Sequence, residues 1–184
     1  MHAFMQNKTS GISFIEILVL LLMISIFMSF AVPRFITNKP RKAQKELFTE
    51  FATLVTETMQ QAVITKTVHQ VVWSFNEHKI FVKKHVKNSD EKNPGKQFEP
   101  VPTSLFTSTI QVPERMNVRN FIVQGKDEFA SGSLQDAWFY IMPDGNSQPV
   151  TINIIDELED KAPQFSITVN PFYSQATFHD TFQK

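Results

Sequence analysis

From Ile12 to Val32 the chain reads ISFIEILVLLLMISIFMSFAV, and this stretch decides how the protein is organised. Glu16 is its one ionisable side chain, and a membrane-spanning helix needs about 20 such apolar residues. A buried core helix is usually about half as long. A secretory signal peptide has a shorter apolar region, followed by a cleavage site with small residues. Ser29-Phe30-Ala31 matches such a cleavage site. The length of the stretch and the presence of Glu16 favour a transmembrane helix over residues 12–33.

Glu16 is the residue of this stretch that requires an explanation. A carboxylate inside a bilayer segment costs about 3 kcal/mol or more, so it marks a functional site with a cationic or donor partner. The segment itself contains no Lys or Arg. A free α-amino group would serve if the chain were cut just before Ile12, because Ile12 and Glu16 are four residues apart and share a helix face. That amine comes from the same chain or, in an assembly, from a neighbouring subunit.

The residues Gly11-Ile12-Ser13-Phe14-Ile15-Glu16 resemble the prepilin processing site of type IV pilins and type II secretion pseudopilins. In that family a prepilin peptidase removes a leader that ends in Gly, the new first residue is N-methylated, and Glu is the fifth mature residue. The resemblance implies a leader at residues 1–11, cleavage between Gly11 and Ile12, and methylation of Ile12. It also implies an assembly role for Glu16. Ile12 departs from the Phe that the family usually has at this position.

The charges around the apolar stretch bear on its orientation in the membrane. The leader carries only Lys8, whereas the residues after the stretch include Arg34, Lys39, Arg41, Lys42 and Lys45. The positive-inside rule alone would therefore place the C-terminal part in the cytoplasm. The processing motif requires a cytoplasmic leader, however, and on that ground we expect a single-pass protein of the bacterial inner membrane with a periplasmic C-terminal part.

A second helical segment is predicted over residues 34–66. Pro33 and Pro40 each remove a helix hydrogen bond, so we expect a kink at Pro33 and a helix that resumes near Lys42. From there apolar residues recur at three- and four-residue steps, which is typical of an amphipathic helix that lays one face on a sheet. These residues are Leu47, Phe48, Phe51, Leu54, Val55, Met59, Ala62 and Val63.

The rest of the chain, residues 67–184, predicts an antiparallel β domain. Strand patterns rich in Val, Phe and Trp cover residues 68–75 and 79–86, with a hairpin turn at Asn76-Glu77. Further strands are expected at residues 109–112, 118–123, 137–142, 150–155, 165–169 and, in the tail, 172–178. Residues 87–102 predict a polar loop, and Pro143-Asp144-Gly145-Asn146 predicts a turn. The expected fold class is α+β: a long N-terminal helix, membrane-spanning and then amphipathic, packed on a C-terminal antiparallel β-sheet.

This order of elements looks like that of the H-type minor pseudopilins of type II secretion systems, as does the segment AWFYIMPDGNSQPVTINII at residues 137–155. The I and J types usually lack the Pro carried here by Pro33. The resemblance implies a structural minor subunit of the secretion pseudopilus that supports export of proteins across the outer membrane. The partners it implies are the prepilin peptidase, the major pseudopilin, other minor pseudopilins and the inner-membrane secretion platform. Two alternatives stay open: a minor type IV pilin that primes pilus assembly, and a single-pass membrane-anchored enzyme or sensor.

The composition and the polar residues argue against other classes of function. With 18 Lys+Arg against 18 Asp+Glu the chain has no charge excess to bind nucleic acid, and with no cysteine it has no thiolate metal site. The histidines, which are His2, His69, His78, His85 and His179, form no metal-binding pair, and no cofactor motif occurs. An acidic cluster at Asp156, Glu157, Glu159 and Asp160 lacks the spacing of a calcium loop, so a solvated turn is favoured there over a calcium site. We therefore expect no enzyme activity, no cofactor and no metal.

Overall fold

A computed structural model describes residues 13–36, 39–86, 97–102, 106–131, 135–157 and 163–184. The chain divides into two compact units, Met1–Lys39 and Pro40–Lys184. The helix α1 (Phe14–Ile36) belongs to the first unit, and the helix α2 (Lys39–Thr65) leads into the second. The strands of the second unit are β1 (His69–Ser74), β2 (Lys79–His85), β3 (Phe98–Pro100), β4 (Thr109–Gln111), β5 (Met116–Val123), β6 (Lys126–Asp127), β7 (Asp136–Ile141), β8 (Val150–Asp156), β9 (Gln164–Val169) and β10 (Ala176–His179). The protein is therefore α+β.

The helix α1 contains Pro33 and continues to Ile36. The predicted leader, residues 1–11, and Ile12 lie outside the described residues. Within the part of the chain that the structure describes, no helix has both the length and the hydropathy that crossing a membrane requires. The transmembrane helix at residues 12–33 and the kink at Pro33 stay predictions.

The strands form two antiparallel sheets; the sequence predicted an antiparallel β domain without dividing its strands between sheets. In the first sheet the order is β3-β2-β1-β7, and β4 pairs with β2 beside β3. In the second sheet the order is β10-β9-β8-β5-β6. The predicted hairpin is confirmed, since His69 lies opposite Lys84 and Ser74 opposite Lys79. An alternating pattern predicts that a segment is a strand, but it does not say which sheet the strand joins.

Aromatic side chains join α2 to both sheets. The Phe51 ring centroid lies 6.4 Å from that of Trp73 and 6.5 Å from that of Phe139, both in the first sheet. Phe48 meets Phe178 of the second sheet at 5.7 Å. The predicted apolar stripe of α2 is thus the packed face of an amphipathic helix, except that Val63 is 46% exposed.

Several boundaries differ from the predicted ones. The predicted loop at residues 87–102 contains β3, whose three residues pair along the edge of β2, where Pro100 is tolerated; residues 87–96 lie outside the described part. The tail strand begins only at Ala176, because residues 171–173 form a turn. The two-residue strand β6 was not predicted; it follows a tight turn in which Gln124 and Gly125 both have positive φ.

The predicted turn at residues 143–146 is confirmed. Gly145 has φ +86°. Residues with a Cβ atom rarely adopt this backbone conformation, whereas glycine adopts it readily. Asp144 Oδ1 accepts a hydrogen bond from the Asn146 backbone N–H at 3.0 Å, which is the Asx-type contact that favours aspartate in turns. The turn also approaches α2, since a Cβ on Gly145 would lie 3.6 Å from Val63 Cγ2.

We expect a fragment beginning near Arg41 to be soluble and to fold without the apolar segment. The packed face of α2 already lies on the two sheets, so the fragment keeps its core. Far-ultraviolet circular dichroism should show mixed β and helical structure with a cooperative thermal transition. A disordered or purely helical spectrum would contradict this architecture.

Candidate functional site

At the start of α1, the Glu16 side chain makes one of the two hydrogen bonds of a capping box. Ser13 stands just before the first helical residue, Phe14, and the Ser13 backbone N–H donates to Glu16 Oε2 at 3.4 Å. The Glu16 backbone N–H donates in return to the Ser13 carbonyl oxygen at 2.9 Å. A glutamate at this position satisfies a backbone donor that the first helical turn would leave unpaired. Our sequence reasoning missed this local role, although the pattern Ser-x-x-Glu predicts it.

Gly11 and Ile12, the other two residues of the predicted processing site, lie outside the described residues. Glu16 itself is exposed. The structure therefore places Glu16 at the start of α1 and leaves its predicted pairing with an amine at Ile12 untested.

Apart from Glu16 and Ser25, the described side chains of α1, at residues 14–28, are apolar. From Phe14 to Met28 its large apolar side chains are between 45% and 80% exposed. Ser25 satisfies its hydroxyl within the helix, where Oγ donates to the Leu21 carbonyl oxygen at 2.9 Å. A helix segment with so many exposed apolar side chains needs an apolar environment, which lipid or a packed partner supplies.

Asp156 of the acidic cluster lies in the core. Its side chain is fully buried, Arg115 Nε is 3.3 Å from its Oδ1, and Gln44 Nε2 donates to its Oδ2 at 3.4 Å. The contact between Arg115 Nε and Asp156 Oδ1 is an ion pair without the alignment of a hydrogen bond. We name these three residues the polar clasp. It joins the start of α2 to the ends of β5 and β8.

The predicted solvated turn is therefore wrong for Asp156. We expected β8 to end at Ile155, but it runs one residue further, to Asp156. Alternate residues of a strand share a face, so Asp156 points inward together with Val150, Ile152 and Ile154, which are all buried. Glu157 is exposed, and residues 158–160 lie outside the described part of the chain.

Two of the described histidines, His69 and His179, have structural partners. His69 is buried, its Nδ1 lies 3.0 Å from the Thr67 carbonyl oxygen, and burial lowers the pKa of its imidazole. His179 Nε2 lies 3.0 Å from Thr168 Oγ1 on the neighbouring strand. Among the described residues, no three His, Cys, Asp or Glu side chains are placed to share a metal ion.

A cleft that the sequence did not predict lies along the free edge of β7. It has a volume of about 420 Å³, and Trp138 and Tyr140 line it together with Lys126 of β6 and Gln124 of the turn before β6. Gln148 covers part of the edge, because its Oε1 accepts a hydrogen bond from the Tyr140 backbone N–H at 3.0 Å. The residues that line the cleft come from β7, Gln148 and the segment around the turn between β5 and β6, and the sequence pattern of β7 does not show which of these segments lies beside its edge.

Comparison with solved structures shows that the chain shares its fold with a minor pseudopilin. No family model matches the chain, and no curated protein matches its sequence. Two solved structures of the minor pseudopilin EpsH from the type II secretion system of Vibrio cholerae do match its structure. One has a TM-score of 0.53 and 13% identity, covering 77% of this chain and 98% of EpsH; the other has a TM-score of 0.54 and 12% identity, covering 78% and 96%. The resemblance to an H-type minor pseudopilin is therefore confirmed at the level of the fold.

Proposed function

We propose that this chain is a structural minor subunit of a type II secretion pseudopilus and supports the export of proteins across the outer membrane. The observation that carries the proposal is the match to EpsH over nearly the whole EpsH chain. The motif from Gly11 to Glu16 supports it independently, because those residues resemble the prepilin processing site that type II secretion pseudopilins share with type IV pilins.

In this proposal residues 12–33 anchor the protein in the inner membrane and the β domain lies in the periplasm. The apolar surface of α1 supports the anchor, since its described side chains have no polar face to offer to water. After assembly the same surface would pack against the equivalent helices of neighbouring subunits, where apolar side chains are again favoured.

The proposed partners follow from this role. The prepilin peptidase cuts between Gly11 and Ile12, and the amine of Ile12 is then methylated. In the filament, α1 packs against the major pseudopilin and other minor pseudopilins. The inner-membrane secretion platform drives assembly. The role is structural, and it requires no catalytic residue, cofactor or metal.

Deletion of the gene in its native host tests the function. We expect exported proteins to accumulate in the periplasm and the full chain, supplied from a plasmid, to restore their release. Loss of surface pili with normal secretion would instead indicate the minor type IV pilin. Normal secretion and normal pili would contradict both roles.

Changing Gly11 to valine should leave the chain uncut. A side chain at Gly11 would obstruct the approach of the peptidase to the bond before Ile12. Intact-mass analysis of the chain, expressed with and without a prepilin peptidase, should show a loss of the leader for the unchanged protein and no loss for Gly11→Val. The neighbouring change Ser10→Ala is the control and should be cut normally; removal of the leader from the valine variant would contradict the assigned site.

A further inference from the structure

The outer face of the first sheet, which points away from α2, is both aromatic and basic. Alternate residues of β2 share a face, and those on the outer face are Lys79, Phe81, Lys83 and His85. Lys79 Nζ and Lys83 Nζ lie 5.0 Å and 5.2 Å from the Phe81 ring centroid. Such cation–π contacts hold an ammonium group in place, so the half-buried Lys83 side chain is oriented before any ligand arrives.

A cleft of about 300 Å³ opens on this face, and we name it the outer cleft. Gln70 and Val72 of β1 form its floor and are 8% and 2% exposed. Trp138, Tyr140 and Phe98 stand around it. The rings of Phe98 and Tyr140 approach to 5.7 Å although their strands are separated by β1 and β2. The result is a recess with aromatic walls.

Polar groups line the same recess. Lys83 provides an ammonium group and Asp136 a carboxylate, and Gln70 and Gln97 provide amides that both donate and accept hydrogen bonds. The floor strand β1 is paired with β2 on one side and β7 on the other. Its backbone groups are therefore used in the sheet, and a ligand here must be recognised by side chains rather than by adding a strand.

We propose that the outer cleft binds a saccharide that carries a carboxylate. A pyranose ring has an apolar face of C–H groups, which packs on aromatic rings, and a rim of hydroxyls that both donate and accept hydrogen bonds. The aromatic walls match the first property, and the amides and Asp136 match the second. The oriented ammonium group of Lys83 pairs with the carboxylate. Trp138 is 43% exposed and offers its ring for stacking.

The chain's own fluorescence reports on this site. It has two tryptophans; Trp73 is 3% exposed, whereas Trp138 is 43% exposed and lines the cleft. The full chain is purified in lauryldimethylamine oxide, because detergents with sugar head groups would compete. It is titrated with trigalacturonate and, separately, with the methyl ester of that trisaccharide, which keeps the hydroxyls and lacks the charges.

Trigalacturonate should change the fluorescence saturably, with a Kd of about 1 mM or lower and about 10-fold tighter than that of the ester. Lys83→Gln should lower the affinity for trigalacturonate to that for its methyl ester. Phe98→Ala should lower the affinity for both trisaccharides. Phe172→Ala is the control, because Phe172 is a 72% exposed aromatic residue in the turn before β10, outside the cleft. Lys83 has a partly exposed side chain, so its replacement tests the proposal even if Phe98→Ala disturbs β3.

Four outcomes would overturn the proposal. The first is no binding of either trisaccharide, checked by calorimetry. The second is equal affinity for the acid and its ester. The third is binding that Lys83→Gln and Phe98→Ala both leave unchanged. The fourth is equally tight binding of triglutamate, which would show that this face attracts negative charge without recognising a sugar. None of these outcomes bears on the pseudopilus role, so the two proposals fail separately.

Discussion

Replacing Glu16 with leucine should leave the protein in the membrane and remove it from the pseudopilus. In the proposed assembly the carboxylate pairs with the methylated amine at Ile12 of a neighbouring subunit. An unpaired charge in an apolar environment is costly, so this pairing selects the correct axial register between subunits. Leucine removes the free-energy cost of placing a carboxylate in the bilayer, so the isolated subunit is more stable there. It also removes the charge pair that would fix the register between subunits in the filament. Cleavage between Gly11 and Ile12 should continue.

Crosslinking measures incorporation directly. The chain contains no cysteine, so one cysteine introduced in α1 and one in the major pseudopilin of the same host give an unambiguous disulfide. We expect the crosslinked fraction to fall about 10-fold for Glu16→Leu, which corresponds to about 1.4 kcal/mol of lost pairing, while membrane levels stay constant.

The hydrogen bond from the Ser13 backbone N–H to the Glu16 side chain suggests a matched control for this experiment. Glutamine at Glu16 keeps an oxygen that can accept the Ser13 N–H, and glutamine serves in capping boxes as glutamate does, but it carries no charge. If charge pairing drives assembly, Glu16→Gln should fail like Glu16→Leu. If Glu16→Gln assembles normally and Glu16→Leu does not, the role of Glu16 is to begin the helix. Normal crosslinking of both variants would remove any assembly role for this residue.

Changing Arg115 to methionine should lower the free energy of unfolding of the β domain by about 3 kcal/mol. Asp156 is fully buried, and Arg115 is the cation beside it. Without Arg115 the carboxylate is left in the core with no cation beside it. Removing one partner of a buried ion pair destabilises a fold strongly because the remaining charge stays buried. Changing Asp156 to leucine should cost less, because the Arg115 side chain is 28% exposed and its charge can reach water.

Urea denaturation of the fragment beginning near Arg41 gives these free energies. Lys42→Ala is the control, since Lys42 pairs with Glu46 on the exposed side of α2 with side chains 79% and 60% exposed. A surface pair of this kind contributes about 0.5 kcal/mol or less. If Arg115→Met is no more destabilising than Lys42→Ala, the polar clasp does not stabilise the fold. The double variant Arg115→Met with Asp156→Leu should recover part of the loss, because it leaves no charge buried.

The sequence by itself determined the parts of this protein that depend on neighbouring residues. The helix α1 follows from an apolar stretch, the hairpin of β1 and β2 from strand patterns around a short turn, and the turn at Gly145 from the residues Pro143-Asp144-Gly145-Asn146. The assembly role of Glu16 rests on sequence chemistry as well, because a lone carboxylate in an apolar stretch requires a partner, and it stays a prediction. Each of these conclusions rests on residues only a few positions apart.

Only the tertiary structure decided which distant segments meet. The strand β7 returns to pair with β1, and this pairing brings Trp138 and Tyr140 to the outer cleft beside Gln70. Gln44, Arg115 and Asp156 come from α2, the turn before β5 and the end of β8, so the polar clasp has no local pattern, and the sequence wrongly predicts a solvated turn at Asp156. The physical reason is that strand periodicity reports which way a side chain points relative to its own strand. Which strand lies next to it depends on the summed packing of the whole domain.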